Sequence, residues 1–250
     1  MQKKWVMANW KMNGSKEMLS HYIAKLNQYI EIKPGVEAVI FPPALYLPYV
    51  QEHAEKHRYA WGSQNVADEK TGAYTGEIAA NMLYEYGVTY VLVGHSERRQ
   101  LFAESPDLIA KKFHLVKDCG MIPVFCIGET LEQYQQGFTA DVLLAQIQAL
   151  SIDKRLDFER AIIAYEPVWA IGSGLTPTQE EITTTLETIK RIISALDDDA
   201  LIPPILYGGS VSPTNIAMIN QIKACQGVLV GGAALKVEQF LEIIECITCY

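Results

Sequence analysis

The chain has 250 residues, 49% of them hydrophobic and 20% charged, with a formal net charge of -8. That apolar content supports a full core and excludes a disordered chain, while the length suits one large α/β domain or two small ones. The acidic balance speaks against nucleic acid, which wants a basic patch, and leaves any anionic ligand to local lysines and backbone N–H groups.

In chain order, Lys4 to Asn9 reads as a first strand and Ser15 to Ile30 as an amphipathic helix. Val36 to Phe41 is strand two, with a helix around Ala44 to Lys56, and Tyr59 to Ser63 is strand three. A long irregular stretch leads to a helix from about Glu77 to Tyr86. Thr89 to Val93 is strand four, followed by helices around Ser96 to Phe102 and Pro106 to Asp118. Met121 to Cys126 is strand five, and Asp141 to Leu150 is the heart of the next helix. Ala161 to Tyr165 is strand six, and Thr178 caps a helix running to Leu196. Ile205 to Tyr207, a short helix at Pro213 to Asn220, Val228 to Val230 and a helix at Val237 to Ile247 complete the pattern.

Such alternation implies a parallel sheet with right-handed crossovers. At this length eight units favour a single (β/α)8 TIM barrel over residues 1–250 rather than an open doubly wound sheet. The open sheet usually carries a Gly-rich fingerprint after its first strand, where this chain reads Ala8-Asn9-Trp10-Lys11-Met12-Asn13-Gly14. A barrel places its active site at the C-terminal ends of the strands, so polar residues there should converge.

Lys3-Lys4 is followed by only a short apolar run before Asn9 and Lys11, which fits neither a signal peptide nor a membrane span. The 5 cysteines, odd in number and scattered, read as reduced thiols of a cytoplasmic protein. Cys246-x-x-Cys249 ends the last predicted helix, and no nearby Cys or His completes a zinc set, so helix packing is the simpler reading. His53-x-x-x-His57 lacks the glutamate beside its first histidine that a metal-binding helix would carry, and reads as a solvated face. Cys126 reads as a small buried hydrophobe and Glu129 as a carboxylate at the start of the next helix.

The strand ends carry the chemistry. Glu166 stands where strand six gives way to an oily loop, Val168 to Ile171, ending in Gly172-Ser173-Gly174. Pro167 biases Glu166 towards extended backbone, and an apolar segment there suits a lid over a carbon acid's base. A rim salt bridge is the alternative for that carboxylate. Lys11 after strand one suits a phosphate or a developing oxyanion, unless it is a solvated surface lysine. After strand four, Ser96 reads as an N-cap and Glu97 suits the positive helix end. The same helix end favours a neutral His95 imidazole able to donate to a carbonyl oxygen; a histidine pinning the turn is the other reading. Gly208-Gly209-Ser210 and Gly231-Gly232 follow strands seven and eight, the usual phosphate site of such barrels. The segment Gln64 to Gly76 is longer than barrel connections usually are, and its tip, Gly72 to Gly76, suits a dimer contact.

Taken together, Asn9-Trp10-Lys11-Met12-Asn13, Gly94 to Arg99, Cys126 to Glu129, Tyr165 to Gly172, Tyr207 to Val211 and Gly231-Gly232-Ala233 make the whole chain resemble the triosephosphate isomerase family. The resemblance implies interconversion of dihydroxyacetone phosphate and glyceraldehyde 3-phosphate through an enediolate. Glu166 would move the proton, His95 would serve the two oxygens, and Lys11 and Asn9 would steady the oxyanion. Gly172, Ser173, Ser210, Gly231 and Gly232 would hold the phosphate, with no metal or organic cofactor. It also implies a homodimer through Gln64 to Gly76, with Thr75 reaching the neighbouring site. The chain departs from the family at Leu175 and Pro177, where a lysine and an alanine are common, and at Pro203-Pro204, where an arginine is common. A non-catalytic phospho-sugar binder or surface adhesin on the same barrel is the competing reading.

Overall fold

Alternate side chains of the strands divide between two apolar compartments, and this division defines the architecture. Trp5, Met7, Phe41, Leu92, Val124, Ala164 and Leu206 pack together inside a ring of strands. Their neighbours Val6, Ala8, Ile40, Val93, Phe125 and Ile163 face outwards into a larger core shared with the helices. Strands buried on both faces are what an eight-fold parallel barrel requires. The computed structural model describes residues 3–29, 34–55, 58–171 and 175–247.

The strands are β1 Lys4–Asn9, β2 Val36–Phe41, β3 Ala60–Ser63, β4 Tyr90–Val93, β5 Ile122–Ile127, β6 Ile162–Tyr165, β7 Ile205–Tyr207 and β8 Gly227–Val230. They pair in sequence order, all in parallel, and close where β8 meets β1. At that seam Trp5 stands opposite Gly227, whose φ is +149°, and a Cβ there would lie 2.0 Å from the Trp5 carbonyl oxygen. Only glycine fits so close an approach.

The helices among the described residues are α1 Lys16–Tyr29, α2 Leu47–His53, α3 Ala80–Glu85, α4 Ser96–Leu101, α5 Pro106–Asp118, α6 Leu131–Gln135, α7 Thr139–Gln148, α8 Gln179–Leu196, α9 Ile216–Asn220 and α10 Val237–Cys246. Helix α8 shows how the sequence sets them. Ile182, Leu186, Ile189 and Ile193 fall on one buried stripe, and Thr178 and Glu181 form a reciprocal capping box at its start.

Several helices differ from what the sequence suggests. Residues 44–53 split into a 3-10 turn, Ala44–Tyr46, and α2, with Pro48 in the first turn of α2. Helix α3 begins at Ala80 rather than Glu77, because Glu77 N–H is taken by Tyr74 and Ile78 C=O accepts from Ala67. The region before Asp141 holds the separate α6, ended by Gly137 at φ +76°. Residues 64–79 carry neither helix nor strand, and 70–78 are exposed. None of the described helices is long and apolar enough to cross a membrane.

Candidate active site

The polar residues that follow the strands do converge. A cavity of about 560 Å³ at the C-terminal mouth of the barrel is lined by Asn9, Lys11, His95, Glu166, Ser210, Gly231 and Gly232. These side chains and glycines come from β1, β4, β6, β7 and β8, so only barrel closure assembles them.

The two titratable groups at the centre are buried and close together. His95 is 5% and Glu166 2% exposed, and His95 Nε2 lies 3.3 Å from Glu166 Oε1. The other carboxylate oxygen accepts the Ser96 backbone N–H at 3.3 Å. Ser96, expected as the N-cap of α4, is instead its first residue. The cap is His95, whose extended backbone lets Nδ1 accept the Glu97 N–H at 3.2 Å. With Nδ1 acting as acceptor, Nε2, the atom that faces Glu166, is the ring nitrogen left to donate.

Lys11 is held in an uncommon backbone conformation, φ +52°, at the cavity wall. Asn9 Oδ1 accepts the Lys11 N–H at 2.9 Å, so the first residue of the pair braces the second. The Lys11 ammonium meets Glu97 at 2.6 Å. Glu97 therefore serves as an ion-pair partner as well as a first-turn acid. Gln64, which the sequence marks only as the start of the long segment after β3, donates to Lys11 O at 2.9 Å and Phe41 O at 2.8 Å. It directly follows β3, and the strand-end rule that selects Lys11 and His95 would have found it too.

On the adjacent wall, beyond β8, a Cβ on Gly231 would lie 3.5 Å from Lys11 Cε, and one on Gly232 would meet no protein atom within 4 Å. Gly232 opens the 3-10 turn that follows β8, and Gly231 is its N-cap. Ser210 Oγ donates to Ala170 O at 2.5 Å, tying the residues after β7 to those after β6. Gly172 and Ser173 lie outside the described residues, as do Lys56, His57 and Cys249. Thr75 is exposed on the long segment after β3 and takes no part in lining this cavity.

Around Glu166 the packing is close. A Cβ on Gly128 would lie 1.8 Å from the Glu166 carbonyl oxygen, and one on Gly208 would lie 2.9 Å from Glu166 Cγ. Behind it, Cys126 is fully buried, and burial followed by the Glu166 charge pushes its thiol up, leaving a neutral hydrophobe.

Glu129 is not a helix-end carboxylate. Thr130 caps α6, and Glu129 is sealed beneath it, accepting from Tyr165 Oη at 3.1 Å and Trp169 Nε1 at 3.0 Å. Burial raises its carboxyl above the usual range. The partners come from β6 and the turn beyond it, which local sequence around Glu129 does not reveal.

The chain matches the family model described as triosephosphate isomerase over residues 4–247. It is 40% identical to the triosephosphate isomerase of Legionella pneumophila strain Paris over 248 residues, covering 99% of this chain and 100% of that protein. The triosephosphate isomerase of Xanthomonas campestris pv. campestris strain 8004 is 42% identical over 247 residues, 97% of each chain.

Proposed function

The chain belongs to the triosephosphate isomerase family and is an enzyme that isomerises triose phosphates; from that premise we propose that Glu166 is the base that carries the proton between the two carbons. Dihydroxyacetone phosphate bound in the cavity gives up a C1 proton to the Glu166 carboxylate, and the electron pair moves onto the carbonyl oxygen. The C1 hydroxyl gives up its proton as its oxygen becomes the aldehyde carbonyl, and the C2 oxygen gains that proton by way of His95 Nε2. The protonated carboxyl returns its own proton to C2, and D-glyceraldehyde 3-phosphate leaves. His95 donates from Nε2 to the oxygens as charge builds on them. Lys11 holds the same oxygens from the side, and Asn9 keeps Lys11 in place.

The phosphate lies against the Gly231 and Gly232 N–H groups and Ser210, with Gly172 and Ser173 adding donors in the family pattern. Main-chain donors bind the dianion without a basic surface, consistent with the net charge of -8. The apolar residues Val168 to Ile171 serve to keep water from the enediolate. No step asks for a metal or an organic cofactor.

The functional unit is read as a homodimer joined through Gln64 to Gly76, with Thr75 completing the partner's site. Support comes from the exposed tip at 70–78 and from Met12, Tyr74 and Phe102, which stand 97%, 49% and 64% exposed in the isolated chain. The whole of 1–250 is taken as one barrel domain, and the scattered cysteines fit the cytoplasm.

One observation carries the reading: a buried carboxylate and an imidazole Nε2, 3.3 Å apart, share one cavity with a lysine and paired glycines. A coupled isomerase assay on wild type and Glu166→Gln tests it. The variant should lose about 10³-fold or more in kcat while keeping its affinity for a three-carbon phosphate analogue. Undiminished turnover would overturn the assignment.

A further inference from the structure

Beyond Ile127, the last residue of β5, the strand ladder gives way, and the next residue, Gly128, has both its peptide groups occupied by one side chain. Gly128 N–H donates to Gln146 Oε1 at 2.9 Å, and Gly128 C=O accepts from Gln146 Nε2 at 3.0 Å. Gln146 belongs to α7, outside the barrel and 18 residues further along the chain. A primary amide offers one donor and one acceptor side by side, and few other side chains can satisfy a peptide in this two-point manner.

What Gln146 grips is in contact with Glu166. Gly128 packs directly against the Glu166 peptide, a Cβ on it lying 1.8 Å from the carbonyl oxygen and 2.6 Å from the carbon, so a shift of Gly128 towards Glu166 presses on that backbone. Ordinary pairing holds the rest of this corner. Glu166 N–H donates to Ile127 O at 2.7 Å, and Gly208 N–H to Tyr165 O at 2.7 Å. Packing does not fill the region. A second cavity of about 160 Å³ is lined by Gln146, Gly128, Ser96, Val168 and Glu166, so space exists into which this backbone could shift.

We propose that Gln146 is a positioning residue for proton transfer: its amide clamps Gly128, and Gly128 in turn fixes the backbone from which the Glu166 carboxylate reaches towards His95. The inference rests on the reading of Glu166 as base. Gln146 is not among the residues that line the cavity with Ser210, Gly231 and Gly232, so it should govern the chemical step and leave substrate affinity alone. A misplacement of about 1 Å at a reacting group costs on the order of 10²-fold, which sets the scale of the effect.

The test uses the full chain carrying Gln146→Met, which keeps length and loses both hydrogen bonds, and Gln146→Glu, which at neutral pH keeps an acceptor for Gly128 N–H and loses the donor. Each is assayed where circular dichroism shows it fully folded. For Gln146→Met, kcat should fall by about 10- to 100-fold with KM within about threefold of wild type. Gln146→Glu should fall between the two. With substrate deuterated at C1, the kinetic isotope effect should be larger in Gln146→Met than in wild type, which a purely structural role would not produce. A kcat within about twofold of wild type in both variants, or a loss carried by KM, overturns the clamp. If instead Glu166→Gln itself leaves turnover intact, the reading of the base fails first, and the clamp falls with it.

Discussion

Tyr134 lies stacked on Trp169, ring centroids 4.6 Å apart and planes 29° from parallel, while its hydroxyl donates to Glu181 at 2.7 Å. One side chain of α6 thus touches the turn that follows Glu166 and the first turn of α8. Both ends of the connection from β6 to α8 are braced from the same point.

Loosening this brace should be visible in tryptophan accessibility. Trp5, Trp10 and Trp61 are buried and Trp169 is half-buried, so iodide quenching reports mainly on Trp169. Tyr134→Ala should raise quenching and Tyr134→Phe, which keeps the stack, should not. The stack itself is worth about 0.5–1.5 kcal/mol. Equal quenching in Tyr134→Ala and wild type would show that the stack does not hold Trp169 in place.

His95→Asn separates two roles of that residue. Asparagine is a good N-cap and can accept the Glu97 N–H, but has no atom where Nε2 stands. Turnover should fall by about 10²- to 10⁴-fold with thermal stability nearly unchanged. A fall in melting temperature with turnover preserved would make His95 a turn-holding residue only.

The glycines around the cavity should respond differently to one added methyl. Gly128→Ala meets backbone at 1.8 Å and should destabilise the fold by about 1–3 kcal/mol or prevent folding. Gly208→Ala meets the movable Glu166 side chain at 2.9 Å, so kcat should suffer more than stability. Gly232→Ala meets no protein atom and should fold normally, with KM raised because the methyl takes space intended for phosphate. An unchanged KM in Gly232→Ala would remove that glycine from the phosphate site.

Acid stability should depend on Glu104. Burial alone would raise its carboxyl, but hydrogen bonds from Lys112 at 2.5 Å and Arg98 at 2.6 Å outweigh burial and hold it below the usual range. A folded-state value below the unfolded one, about 4.3, means stabilisation is complete above that pH. It is lost as pH falls through the lowered folded value. Glu104→Gln should therefore cost about 3 kcal/mol at neutral pH, because Lys112 is left buried without a counter-charge. The gap between urea midpoints of variant and wild type should narrow in acid; a constant gap would refute the ionic account.

The strand ends were legible because burial on two faces and a parallel ladder leave a simple signature, and Asn9, Lys11, His95, Glu166, Ser210, Gly231 and Gly232 all proved to line one cavity. What escaped depends on contacts distant in sequence. Glu129 looks like a helix-end acid until Tyr165 and Trp169 are seen to cover it. Ser96 looks like the cap until the imidazole beside it takes the N–H. Gln146 on a helix face gives no local sign of the peptide it grips. Loop hydrogen bonds at 77 and 78 likewise delay α3 in a way that side-chain periodicity does not register.

The seam between Trp5 and Gly227 has a consequence for biosynthesis. During translation β1 emerges well before β8, its neighbour across the seam, so the nascent wall carries two bare hydrogen-bonding edges until then. Asn9 and Lys11 wait on one side of that gap, while Gly231 and Gly232 do not yet exist on the other. Appearance of enzyme activity would therefore time the final stitch of the sheet, and a methyl at Gly227 should hold the ring open at the moment it most invites aggregation.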